Sequence, residues 1–202
     1  NVNDLERYEG MRVTFIDPLT VIESYQLGQY GQLVLAEGGR IANFTHLNEP
    51  STTGYASFLS SFAKRRIYLD DGSSKSNPDP VIFPAPELTA ANTLRMGDTI
   101  ASLTGIMDYR YDAYRVQPTG TVSFTHANPR PAAPADTGGI LTAASANVLN
   151  YFNTFTGCTN GIGGIPDDDE CRGADDAVEF ARQRAKIIAE LVALDAHIIG
   201  LM

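Results

Sequence analysis

The chain has 202 residues, 43% of them apolar, which is enough for one large domain or a small domain with part of another and excludes global disorder. Its formal charge is -9, so it lacks the surplus of Lys and Arg that marks a phosphate-binding surface. Either positive surface lies elsewhere, or divalent metals bridge the phosphates, or nucleic acid is not the ligand of this segment. No stretch approaches the ~20 apolar residues that span a bilayer, so no membrane contact is expected.

Asn1-Val2-Asn3-Asp4 reads as mid-protein sequence, without a signal peptide. Met11 to Ile16 alternates and is rich in β-formers, which predicts a strand ended by Pro18. Leu19 to Tyr25 and Gly31 to Leu35 predict two more around a turn at Gly28–Gly31. Arg66 to Leu69 is another, with Asp70-Asp71-Gly72 as the turn after it rather than a cation site. Ser73 to Pro86 is polar and Pro-rich and predicts a long loop. Asp98 to Met107 and Tyr114 to Phe124 complete the set. Short strands, Gly turns and one long irregular excursion point to a small closed β-barrel over residues 1–128.

Pro129 to Pro134 carries three prolines and predicts a stiff linker over residues 129–137. Beyond it, Ile140 to Leu149 predicts a strand and Asp175 to Leu194 a helix. Phe180, Ile187, Ile188, Leu191 and Leu194 fall on one helical face, and Asp175 and Asp176 suit the positive N-terminal end. His197 to Met202 is a short apolar run that predicts a buried strand. Residues 138–202 therefore form a β-loop-α-β unit that reads as the start of a domain continuing past Met202. Cys158 and Cys171 lie in one Gly- and Asp-rich loop with little apolar content to order it. A disulfide there stabilises by roughly 3 kcal/mol and favours an oxidising compartment; two cysteines without His make a poor zinc site.

Ser145-Ala146-Asn147-Val148-Leu149-Asn150-Tyr151-Phe152 resembles the opening strand of the endonuclease/exonuclease/phosphatase superfamily, the DNase I-like fold, and within it the large secreted bacterial nucleases. Cys171-Arg172-Gly173-Ala174-Asp175, then Phe180 to Ile188, then Leu194 to Met202 continue the likeness. Upstream, Glu9 to Val13, Arg66 to Ser74, Arg95 to Asp98 and Tyr114 to Pro118 are similar to the OB-like domain that precedes the catalytic domain in those nucleases. The resemblance implies a mostly β plus α/β chain: an OB-like β-barrel followed by a partial DNase I-like β-α-β unit. It implies metal-dependent hydrolysis of DNA, with RNA the other polymer, in a secreted or cell-surface protein. Mg²⁺ is the implied cofactor, with Ca²⁺ or Mn²⁺ as alternatives. Asn147 is implied as the catalytic and metal-site residue, and Asn150 as a second metal-site candidate. The acidic metal ligand, the catalytic His residues and their Asp partners are implied in the remainder of the catalytic domain after Met202, so this chain alone is expected to be inactive.

Simpler roles stand beside these. Asn147 and Asn150 are also what a turn after a strand uses. Asp167-Asp168-Asp169-Glu170 lacks the alternating spacing of a calcium loop and reads as a solvated acidic loop. His46, His126 and His197 share no ligand spacing. Arg182 and Arg184 read as surface or ion-pair residues. Asn43-Phe44-Thr45 matches a glycosylation acceptor but carries little weight in a bacterial protein. Tyr109, Arg110, Tyr111, Tyr114 and Arg115 interleave rings and cations as single-strand stacking requires, although packing accounts for them as well. The alternative function is thus an OB-like module that binds nucleic acid or polysaccharide, or acts as a spacer, beside a phosphoesterase of other specificity.

Overall fold

The computed structural model describes residues 2–159, 161–166 and 171–202; the acidic run Asp167–Glu170 lies outside the described residues. The chain divides into two compact units, Asn1–Arg130 and Pro131–Met202.

The first unit opens with a 3-10 helix, Val2–Tyr8. Strands β1 (Arg12–Phe15), β2 (Leu19–Glu23), β3 (Gln32–Glu37), β4 (Arg66–Asp70), β5 (Thr99–Ile100), β6 (Leu103–Arg110) and β7 (Ala113–Pro118) form one sheet in the order β1-β6-β7-β4-β3-β2-β5. All neighbours are antiparallel except β4 and β7, which run parallel. β1 and β2 are one segment bent at Asp17-Pro18, where proline cannot donate to a ladder. β5 and β6 are another, bent at Ala101-Ser102. The two segments pair along both halves, Arg12–Phe15 with Leu103–Ile106 and Leu19–Thr20 with Thr99–Ile100. The sheet therefore curls back on itself into a barrel-like form.

Alternation fills the interior. Leu33 faces Leu69, Leu35 faces Ile67 and Met107 faces Val116 across the ladders, and all six are buried. Phe83, Ile100 and Leu103 complete the same cluster. Gly105 lies where β6 passes close to β7: a Cβ there would run into the carbonyl oxygen of Gln117.

Between β2 and β3, the expected turn is a short helix, α1 (Leu27–Tyr30), closed by Gly31 in the left-handed region at φ 63°. Between β3 and β4 come α2 (Phe44–Leu47) and α3 (Thr52–Arg65). The Ser51 side chain caps α3 by accepting from the Gly54 N–H, and Arg65 at its end donates twice to the Glu37 carbonyl. α3 has no counterpart among the strands read from the sequence.

The second unit pairs β8 (Ala143–Ala146) with β9 (Ile198–Leu201) in parallel through α4 (Ala177–Leu194). Asp176 caps α4, its carboxylate accepting from Val178 N and Glu179 N. Cys158 and Cys171 form the disulfide expected from the sequence. β9, expected to be buried, is largely exposed, with Ile198 at 58% and Leu201 at 57%. A two-stranded sheet with a single described helix leaves most of its apolar surface uncovered.

Candidate functional site

Asn147 follows the last residue of β8, at the carboxyl end of the parallel pair. Met202 N donates to Ala146 O and Val148 N to Met202 O, so the ladder continues to this point. The Asn147 carboxamide oxygen accepts from Leu149 N at 3.0 Å, closing an Asx turn, and Leu149 and Asn150 both take positive φ, 47° and 48°. The turn packs on Gly173: a Cβ there would lie 2.7 Å from the Asn150 carbonyl oxygen. The Gln183 side chain on α4 donates to Leu149 O, which ties the turn to the helix. Through Leu149 the turn walls an open depression of about 320 Å³ whose charged lining is Arg172, Arg182, Lys186 and Glu179. Glu179 pairs with Arg182 at 2.8 Å, in agreement with an ion-pair role for that arginine.

Mg²⁺ demands hard oxygen ligands, usually including one or two carboxylates. Asn147 and Asn150 bring no carboxylate, the Asn147 oxygen is already an acceptor in its turn, and no cluster of three His, Cys, Asp or Glu exists among the described residues. These residues do not by themselves fit a divalent metal. Asn147 keeps a side-chain N–H₂ that can donate to a phosphoryl oxygen.

The Tyr and Arg group divides. Tyr109 and Tyr114 are opposite partners on β6 and β7 with ring centroids 4.7 Å apart. The Tyr114 hydroxyl donates to Glu6, and this bond to a carboxylate pushes the phenol up to about 12. Tyr111 and Asp112 form the two-residue turn between the strands, both at positive φ, with Tyr111 84% exposed. Arg110 pairs with Asp108 at 3.0 Å. Arg115 faces inward: its Nη1 contacts Asp70 at 2.6 Å, its Nη2 donates to Arg110 O, and its side chain is 3% exposed. Its guanidinium also lies 5.3 Å from the centre of the Tyr111 ring. Asp70 also accepts from Gln32 and from Gly72 N, so the Asp70-Asp71-Gly72 turn carries a buried ion pair the sequence did not announce. Partial burial raises the neighbouring Asp71 carboxyl above its ordinary range, and the Asp70 charge adds to this against the opposing Ser73 N–H bond.

The profile of a family described as a domain of unknown function, DUF8508, matches residues 4–129. The chain belongs to the DUF8508 family. No curated protein and no solved structure matches it.

The DUF8508 domain thus coincides with the curled sheet, and Asn147 lies outside it. Within the domain, His126 is held by Asp98, a buried carboxylate that also accepts from Arg95 N and Asn128 N. In the second unit, His197 bonds Thr142 at 2.9 Å. Both are tied into the fold, as expected. A cleft of about 190 Å³ in the DUF8508 domain, walled by Arg66, Tyr68, Tyr109 and Tyr114, was missed in the sequence. It forms because β4 and β7 pair only at Tyr68–Arg115 and Leu69–Val116 and diverge before those residues. No sequence pattern encodes that divergence.

Proposed function

We propose that the Pro131–Met202 unit opens the catalytic domain of a DNase I-like phosphodiesterase, and that the DUF8508 domain is an OB-like module carried beside it. One observation carries this reading: Asn147 stands at the carboxyl end of a strand in a parallel β-α-β unit, beside a depression lined by Arg172, Arg182 and Lys186. Open α/β sheets place ligands at the carboxyl ends of their strands. The likeness of Asn147-Val148-Leu149-Asn150 to the nuclease strand adds the chemistry. In this role the Asn147 carboxamide orients a phosphate oxygen, and the cations of the depression hold the flanking backbone. A divalent cation, Mg²⁺ in this reading, needs carboxylate ligands from residues following Met202. The uncovered apolar surface of β9, and of Ile188 and Val192 on α4, is what such a continuation would bury, since parallel sheets are normally covered on both faces.

The OB-like reading of the DUF8508 domain rests on strand order. With β1–β2 and β5–β6 each taken as one bent strand, five strands follow an OB course: the first pairs with the second and fourth, and the third runs parallel to the fifth. The disulfide accords with a secreted protein, and no helix among the described residues is long and apolar enough to cross a membrane.

The test is cleavage of plasmid DNA with Mg²⁺. The 202-residue chain should leave the plasmid intact. The gene product that includes the residues after Met202 should cleave it, and Asn147→Ala should lower that rate by about 10²-fold, the size of one lost transition-state donor. Cleavage by the 202-residue chain, or full activity of the Asn147→Ala protein, overturns the proposal.

A further inference from the structure

α3 is a 14-residue helix with no fully buried residue; Tyr55 and Leu59 are exposed, and Phe58 and Phe62 are half-buried. A surface helix normally turns its apolar stripe to a core. Here Tyr55, Phe58 and Phe62 follow one another along the helix as stacked pairs, with centroids 6.2 and 6.1 Å apart and planes 18° and 5° from parallel. Phe44 joins them edge-on from α2. The guanidinium of Arg66 lies 4.9 Å from the centre of the Phe62 ring and extends the row by one planar group. Arg66 also walls the cleft between β4 and β7, where Tyr68, Tyr109 and Tyr114 stand. One row of rings therefore runs along α3, passes over Arg66 and enters a concavity in the barrel.

The charge on the segment that carries α2 and α3 is opposite to that of the chain, while the cleft sets Arg66 against Asp112. From Gly38 to Arg66 the cations are Arg40, Lys64, Arg65 and Arg66, against Glu49 alone, in a chain of net charge -9. The polar side of α3 is Thr52, Thr53, Ser57, Ser60 and Ser61, none of them charged. Flat rings in a row with cations beside them bind a polymer that has a planar group and a negative charge in every repeat. A bilayer offers the charge, but its flat surface cannot follow the row into a cleft between strands.

We propose that the α3 face and the adjoining cleft form a docking track for single-stranded nucleic acid, with bases stacking on Phe58, Phe62 and the cleft tyrosines and phosphates meeting Arg66. This site differs from the Arg110–Arg115 hairpin that the sequence pointed to, where both cations are engaged in ion pairs. It stands apart from the phosphodiesterase reading and involves neither Asn147 nor a metal.

Fluorescence anisotropy of the full chain with a labelled oligothymidylate, longer than the ~4–16 nucleotides that one such module covers, tests it without divalent metal. Binding should be measurable near 50 mM salt and fall steeply toward ~200 mM. Phe58→Ala with Phe62→Ala should weaken it by about tenfold or more, the value of a lost stacking surface. Arg66→Ala should reduce the slope of log affinity against log salt by about 0.7. Ile82→Ala, an exposed apolar change outside the track, should bind as the unaltered chain does. Far-ultraviolet circular dichroism of each variant should match that of the unaltered chain, since Phe58 and Phe62 are only half-buried. Absence of binding at low salt overturns the proposal, as does equal binding by the paired Phe variant. Sedimentation with phosphatidylglycerol–phosphatidylcholine vesicles, lost on changing Phe58 and Phe62 while the oligonucleotide is ignored, overturns it in favour of a membrane surface.

Discussion

Replacing Asp70 with Ala should cost the first unit about 3–5 kcal/mol, the value of breaking a buried ion pair from one side. The Asp70 and Arg115 side chains are 6% and 3% exposed and meet at 2.6 Å. Arg115 Nε already lacks a hydrogen-bond partner, so loss of Asp70 would leave Nη1 unpaired as well, with only Nη2 held by the Arg110 carbonyl. Gln32 and Gly72 N would lose an acceptor in the same step. The pair also sits at the short parallel contact of β4 with β7, where two residue pairs hold the sheet together. Urea unfolding followed by near-ultraviolet circular dichroism reports on this unit, because eight of the nine tyrosines precede Arg130. With a urea dependence of about 1–3 kcal/mol per molar, the midpoint should fall by about 2 M. Asp70→Leu combined with Arg115→Met removes both charges and should restore most of the loss. A loss below about 1 kcal/mol for Asp70→Ala, the value of an exposed pair, would show that the Asp70–Arg115 pair does not hold β4 to β7.

Three further outcomes follow from the same structure. Asp71 has its carboxyl raised in the fold, so ionisation is disfavoured there; its contribution is most favourable below the ordinary carboxylate range and declines as pH rises through the raised value. Asp71→Asn should therefore raise the urea midpoint near neutral pH, and the difference should vanish toward pH ~3; a difference that grows on acidification would contradict this. Cys158→Ser with Cys171→Ser should remove roughly 3 kcal/mol of loop closure and open the segment between them to proteolysis, read by mass spectrometry of a timed digest. Asp176→Ala removes the acceptor for two N–H groups at the start of α4 and should lower the melting free energy of that unit by about 1 kcal/mol, measured by thermal circular dichroism at the helix band.

β6 alternates, with Leu103, Gly105 and Met107 buried between half-buried neighbours, which fixes its core face, whereas β3 buries Leu33 to Ala36 consecutively and was legible as an apolar run after the Gly28–Gly31 turn. α4 was legible from its 3.6-residue period and its capping Asp176, and the disulfide from two cysteines in a loop without apolar support. The break between β1 and β2 was read at Pro18, whereas the one between β5 and β6 fell inside the single strand expected over Asp98 to Met107, because a strand that changes partner gives no local signal. α3 was present in the sequence as Ser51 before a run with Tyr55, Phe58, Leu59 and Phe62 at helical spacing and Lys64 and Arg65 in its last turn. Its Ser- and Thr-rich polar side masked it, since those residues also make loops. At the sites, Asn147 was placed at a strand end as its motif implied. The inward turn of Arg115 depends on Asp70, 45 positions away, and no local pattern reports a partner at that distance.

Asn147 carries the proposed chemistry. The decisive measurement is the rate of Mg²⁺-dependent plasmid cleavage by the gene product extending past Met202, with and without Asn147→Ala. With Asn147 as a phosphate donor the rate should fall by about 10²-fold while the fold is unchanged; no cleavage by the unaltered protein, or equal cleavage by the variant, would contradict that role.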